Sequence, residues 1–200
     1  SVGSVGGHLR LMPGMTLQLE TATSDSNRAA GVAARARLSG TIRNVSYDLG
    51  TLDGDRNFAG LARGTTVQDG AISARLGKLI TVGASGSLRV SNFATPLAGV
   101  PAQRLATAAL TASYGGLATL DYGWLSRHDD GNITPLDGTQ HGLRATTTLP
   151  VGAATHFSVS YEHGTVDAAE TNSGRAYNVV SVSVQTRLWN AGTISAFGAH

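Results

Sequence analysis

The chain has no cysteine, one lysine (Lys78) and three glutamates (Glu20, Glu162 and Glu170). Without cysteine there are no disulfides and no thiolate metal sites. Charged residues make up 14% of the chain, against about 25% in an ordinary water-soluble domain. A β-protein that meets water on its outer face usually carries Lys and Glu there and on its edge strands. Here the polar positions are Ser, Thr, Gly, Gln and scattered Arg. Fourteen arginines and a net charge of +2, with no basic run, leave no footprint for nucleic acid. No apolar run approaches the roughly 18–20 residues of a membrane-spanning helix. No signal-peptide pattern opens the chain, which fits mature protein or an internal segment.

What the chain has in quantity is alternation. In H-F-S-V-S-Y-E-H-G-T-V, Phe157, Val159 and Tyr161 alternate with His156, Ser158, Ser160 and Glu162. That is the period of a pleated strand with two unlike faces. The same pattern runs through Met15–Glu20, Ala34–Ser39, Ile72–Leu76, Val82–Val90, Ala108–Tyr114, Leu120–Trp124, Leu143–Leu149 and Val180–Leu188. Period two over most of the chain predicts an all-β, antiparallel protein. Ala29–Leu38 and Pro101–Thr111 are rich in helix formers, but both fall where the repeat calls for a strand.

The connections add a second regularity. Tight turns are expected at Pro13-Gly14, Ser39-Gly40, Gly77-Lys78, Gly115-Gly116, Val151-Gly152-Ala153 and Asn190-Ala191-Gly192. Longer polar segments are expected around Ser24–Arg28, Thr51–Asp69, Asn92–Gln103, His128–Gln140 and Thr165–Gly174. Short and long connections take turns, so the short ones gather at one end of the sheet and the long ones at the other. An up-and-down outer-membrane barrel sorts its loops this way, whereas a Greek-key sandwich has no reason to. The expectation is one domain over residues 1–200: a transmembrane β-barrel of about twelve strands, or a segment of a larger barrel. Closure would remove the edges that lysines otherwise guard.

On that reading the apolar face meets lipid and the polar face encloses water. Tyr114, Tyr122, Trp124, Tyr161, Tyr177 and Trp189 are candidates for the aromatic girdles at the membrane surfaces. Arg35, Arg37, Arg43, Arg75, Arg89, Arg144 and Arg187 are candidates for the lumen wall, where they would favour anions or pair with Glu20, Asp121 or Glu162.

Motifs for chemistry fail on inspection. Asp53-Gly-Asp55-Arg-Asn57 begins like a calcium loop, but Phe58 and Gly64 stand where Gly and Glu are needed. His128-Asp129-Asp130 offers carboxylates in a long loop with no identified base partner. His141, His156 and His163 lack metal-ligand spacing, and Gly83-Ala-Ser-Gly86 lacks the phosphate-loop pattern. The chain is therefore read as a non-enzyme with no cofactor and no metal.

The hairpins G-G-H-L-R-L-M-P-G-M-T-L-Q-L-E (Gly6 to Glu20) and A-A-L-T-A-S-Y-G-G-L-A-T-L-D-Y-G-W (Ala108 to Trp124) have the texture of bacterial outer-membrane barrels. The chain resembles that class over its length, and most closely the pore of chaperone–usher pilus assembly platforms. An usher pore has many more strands, a plug and flanking domains, so the resemblance implies a segment of a larger translocation pore. It implies outer-membrane lipid as one partner and a transported solute or secreted polypeptide as the other. Expected alternatives are a porin-like channel, an autotransporter translocator, and a soluble or surface β-rich adhesin or structural repeat protein.

Overall fold

A computed structural model describes residues 1–26, 29–59, 62–92, 102–129, 138–151, 155–168, 175–188 and 192–199. They form twelve strands: β1 (Val2–Met12), β2 (Met15–Ser26), β3 (Ala29–Ile42), β4 (Val45–Gly54), β5 (Thr65–Leu76), β6 (Ile80–Ser91), β7 (Gln103–Tyr114), β8 (Ala118–Asp129), β9 (Gly138–Val151), β10 (Thr155–Ala168), β11 (Arg175–Leu188) and β12 (Gly192–Ala199). Each pairs only with its neighbours in sequence, in a single sheet of order β1 to β12. The pairings are antiparallel throughout. Among the described residues no pairing joins β12 back to β1, so the sheet is open with two edges rather than closed into a barrel.

The segments with helix-forming composition are strands β3 and β7. Period-two patterning with partners on both sides overrides a propensity difference of a few tenths of a kcal/mol per residue. Connections at one end are short: residues 13–14, 43–44, 77–79, 115–117, 152–154 and 189–191. At the other end they are residues 27–28, 55–64, 92–102, 130–137 and 169–174. The length asymmetry holds except at residues 27–28, since β2 and β3 extend through the segment expected to be a long loop. The second tight turn is Arg43-Asn44, not Ser39-Gly40; those two residues pair with Asp48 and Tyr47 inside the β3–β4 hairpin. Arg43 takes a positive φ of 56° there, where glycine would be easier.

The short turns are stitched to one another. Thr41 N donates to Gly14 O at 2.8 Å, Arg75 N to Asn44 O at 2.9 Å, Gly115 N to Leu79 O at 2.6 Å and Thr148 N to Leu117 O at 2.7 Å. Asn44 adds a side-chain bond to Arg75 O at 2.7 Å. From the β1–β2 turn to β9, the described part of this end is a hydrogen-bonded rim.

There is almost no core. A compact monomer of 20.5 kDa would expose about 8,900 Å², yet this chain exposes 13655 Å². The register explains the surplus. Leu17, Leu38 and Leu49 line up across β2–β4. Leu110 faces Tyr122, and Leu120, Ala145, Tyr161 and Val180 form a row across β8–β11. These side chains share one face, and among the described residues no second layer lies over them. Leu110 remains 56% exposed, Val180 45% and Val182 39%.

Candidate functional site: the polar face of the sheet

The opposite face collects the charge. Parity along the paired strands puts Arg10, Glu20, Arg35, Arg37, Asp48, Asp69, Arg75, Arg89, Asp121, Arg127, Arg144, Glu162 and Arg175 on it. That is eight arginines against five carboxylates, a positive wall. On the apolar face the described charged side chains are Asp25, Asp53 and Arg104, each one residue from the long-loop end of its strand. Between Ala106 and Tyr114 of β7, the apolar face carries only Ala, Leu and Tyr.

The Arg37–Asp48 and Arg144–Glu162 ion pairs stand on the polar face. Arg37 grips Asp48 in bidentate fashion, Nε to Oδ1 at 2.7 Å and Nη2 to Oδ2 at 2.9 Å. The Asp69 carboxylate leans over Gly50 beside them, where an added Cβ would sit 2.8 Å from its Oδ1. Arg144 is held by Glu162, through Nε at 2.8 Å and also through Nη2. Asp121 stands directly opposite Arg144 on β8. Hydroxyl pairs fill in between: Ser87 with Thr107 at 2.7 Å and Thr148 with Ser158 at 3.3 Å.

The second pair borders a cleft of about 370 Å³ that Asp121, Gly123, Gln140, Gly142, Arg144, Glu162 and Tyr177 help to line. Its lining includes Gly123 and Gly142, and the row continues through Gly164 to Tyr177. Without side chains beneath it, the Tyr177 ring lies across Gly164 and Gly142. An added Cβ would stand 2.5 Å from its hydroxyl at Gly164 and 3.0 Å at Gly142. The hydroxyl donates to Glu162 Oε1 at 3.0 Å and accepts from Gln140 Nε2 at 3.3 Å.

Of the expected wall arginines, Arg35, Arg37, Arg75, Arg89 and Arg144 lie on the polar face. Arg187 occupies a matching register position, opposite Thr193, with its side chain outside the described residues. Arg43 does not belong to the wall, because it forms the tight turn. Of the expected girdle, Tyr114, Tyr122, Trp124 and Tyr161 are on the apolar face, and Trp189 lies outside the described residues. Tyr177 is the exception: it sits on the polar face, and its parity with Ser181 and Ser183 already implied as much. Toward the long loops, the apolar face of β8–β11 turns amphipathic. Tyr161 donates to Asn178 at 2.8 Å, His163 shares that oxygen at 2.8 Å, and His141 meets Thr165 at 2.9 Å.

Asp53-Gly-Asp55-Arg-Asn57 has a structural role. Asp55 Oδ1 accepts from Asn57 N at 2.8 Å, and Asp53 Oδ1 accepts from the Thr66 hydroxyl at 2.6 Å. The side chain of Asp129 and all of Asp130 lie outside the described residues, and no metal-binding cluster occurs among the described ones. Sequence reasoning missed Phe58, which is only 7% exposed although it lies in a loop. Its signal was a lone aromatic in a polar segment bracketed by Gly54 and Gly64.

Comparison with protein-family models, curated proteins and solved structures finds no match for this chain.

Proposed function

We propose that the chain is an outer-membrane β-barrel pore, or the main arc of one, that passes a polar solute through a lumen walled by the Arg-, Ser- and Thr-bearing face. The reading rests on the apolar face, whose described charges stand only near the long-loop end and which no described layer covers. From Ala106 to Tyr114 it runs about 27 Å along the strand at roughly 3.4 Å per residue. At the tilt of about 35–45° usual for membrane barrels this covers about 20 Å, most of a roughly 25 Å apolar band. Ordinary monomers rarely expose apolar patches beyond about 300–600 Å². Acyl chains would solvate this one at no cost. Tyr161 and His163 lie along the middle of β10 on this face, where Asn178 pairs their polar atoms.

The pore's mechanism is steric and electrostatic, with no bond made or broken. Fixed guanidiniums in excess over carboxylates raise the local anion concentration. The test is refolding with and without detergent, followed by conductance in planar bilayers. The expected result is a β-sheet protein that needs detergent or lipid to stay dispersed and that conducts with anion preference. A well-folded monomer in plain buffer would end the proposal.

A further inference from the structure

Among the described residues, the deepest burial lies where one loop meets the polar face. Ser24 on β2, Ala33 on β3 and Thr65 on β5 are 3%, 6% and 5% exposed. By register all three lie on the polar face, and Gly54 of β4 sits between Ala33 and Thr65. The cover over them is the described part of the β4–β5 loop, in which Phe58 is itself only 7% exposed. The loop approaches so closely that a Cβ on Gly31 would overlap the backbone of Asn57 and Phe58, and one on Gly54 would overlap the Ala62 carbonyl.

The contact is specific and its polar groups are paired. Ala59 N donates to Ser24 Oγ at 2.8 Å, and Asp55 N to Val32 O at 2.9 Å. Phe58 N and Gly64 N both donate to Asp55 O, at 3.0 and 3.1 Å, and Asn92 N donates to Gly64 O at 2.8 Å. A loop that merely capped the sheet end would have no use for two bare glycines on the strands beneath it. Paired backbone donors together with an apolar anchor make a docked element.

We infer that the β4–β5 loop is a fixed constriction of the passage, seated on β2–β5, and that the pore admits small polar solutes and excludes polypeptide chains. The inference rests on the barrel reading above. Eight strands enclose a space that side chains fill, while 16–18 strands leave an open water channel. Twelve strands stand between, and here the described part of one loop covers the polar face at the long-loop ends of β2–β5. What remains suits a solute of a few hydrated ångströms better than a translocating chain.

The test uses the full chain folded into vesicles and bilayers, with neutral sugars and polyethylene glycols of graded size as probes. Phe58→Ser and Gly31→Leu should unseat the loop, raise single-channel conductance several-fold and shift the size limit upward. Trypsin cleavage at Arg56 and Arg63 reports unseating directly, whether or not conductance changes. Because the chain has no cysteine, Ser24→Cys with Ala59→Cys can tether the loop cleanly. The oxidised tether should leave conductance and size limit as in the parent. An unchanged size limit in variants whose loop has become cleavable would overturn the constriction, and so would a tether that lowers conductance. A parent chain that passes nothing at any probe size would instead sink the pore reading itself.

Discussion

At the residue scale, the notable device is an aromatic ring laid on bare backbone. Tyr177 covers Gly164 and Gly142 on the polar face, and Tyr47 covers Gly40 on the apolar face, where a Cβ would sit 2.6 Å from its hydroxyl. Each arrangement lets a ring lie flat across the sheet and restores packing that a strand glycine forfeits. Gly164→Ala would press its methyl on the Tyr177 hydroxyl at 2.5 Å and on the His141 carbonyl at 2.6 Å. The carbonyl is backbone and cannot swing away, so the expected loss is about 1–3 kcal/mol. Gly123 is in the same row with nothing within 4 Å of an added Cβ. Gly123→Ala is therefore expected to be neutral or to stabilise by up to about 1 kcal/mol. Urea unfolding of both variants from vesicles checks the contrast; equal losses would refute the account. Much of this scale was legible: parity alone separated most of the polar-face arginines from the Leu and Val of the apolar face, and Glu162 was one of three carboxylates named as partners for the arginines as a group. The Arg37–Asp48 pair was not, because a diagonal partner depends on register, which the turn at Arg43-Asn44 sets. Tyr177 went to the wrong face when aromatics were grouped by type instead of by parity.

At the scale of strands and connections, period two was strong enough to place most strands and the correct ends of most turns. It failed where local chemistry misled. Ser39-Gly40 reads as a turn, but Gly40 is a gap that Tyr47 fills within a hairpin. Ser24–Arg28 reads as a loop, but its polar residues continue β2 almost to its neighbour. The long-loop asymmetry is sound, yet nothing in it announced that one loop turns inward. The meaning of the two faces can be tested on adjacent residues of β7. Leu110 lies on the uncovered apolar face and Thr111 on the polar face. If the apolar face is in lipid, Leu110→Arg should cost about 2–4 kcal/mol of stability in vesicles, and Thr111→Arg less than about 1 kcal/mol. On an open sheet bathed in water, Leu110→Arg would be harmless or would improve solubility. Matching effects for the two variants would therefore remove lipid from the explanation.

At the scale of the whole molecule, the open edge and the proposed lipid contact of the apolar face are in tension, and resolving it makes a prediction. All eleven residues of β1 are exposed, and V-G-S-V-G-G-H-L-R-L-M contains no proline or lysine to discourage pairing. Every second amide of β1 turns away from β2 and finds no strand there. In a bilayer each such group would cost several kcal/mol, so the sheet cannot enter lipid with this edge bare. With twelve strands in strict alternation, β1 and β12 run in opposite directions and can pair antiparallel. The chain folded in vesicles is thus expected to protect the outward amides of β1 from hydrogen exchange as strongly as those of β6 and β7. Native mass measurement of the same sample then identifies the partner strand. A protected β1 in a monomer means closure onto β12, while protection only in a larger species means that this chain is one arc of a composite wall. Rapid exchange at alternate β1 positions in folded, lipid-bound protein would leave bare amides in hydrocarbon. That result is physically incompatible with the membrane barrel and would return the apolar face to some other partner.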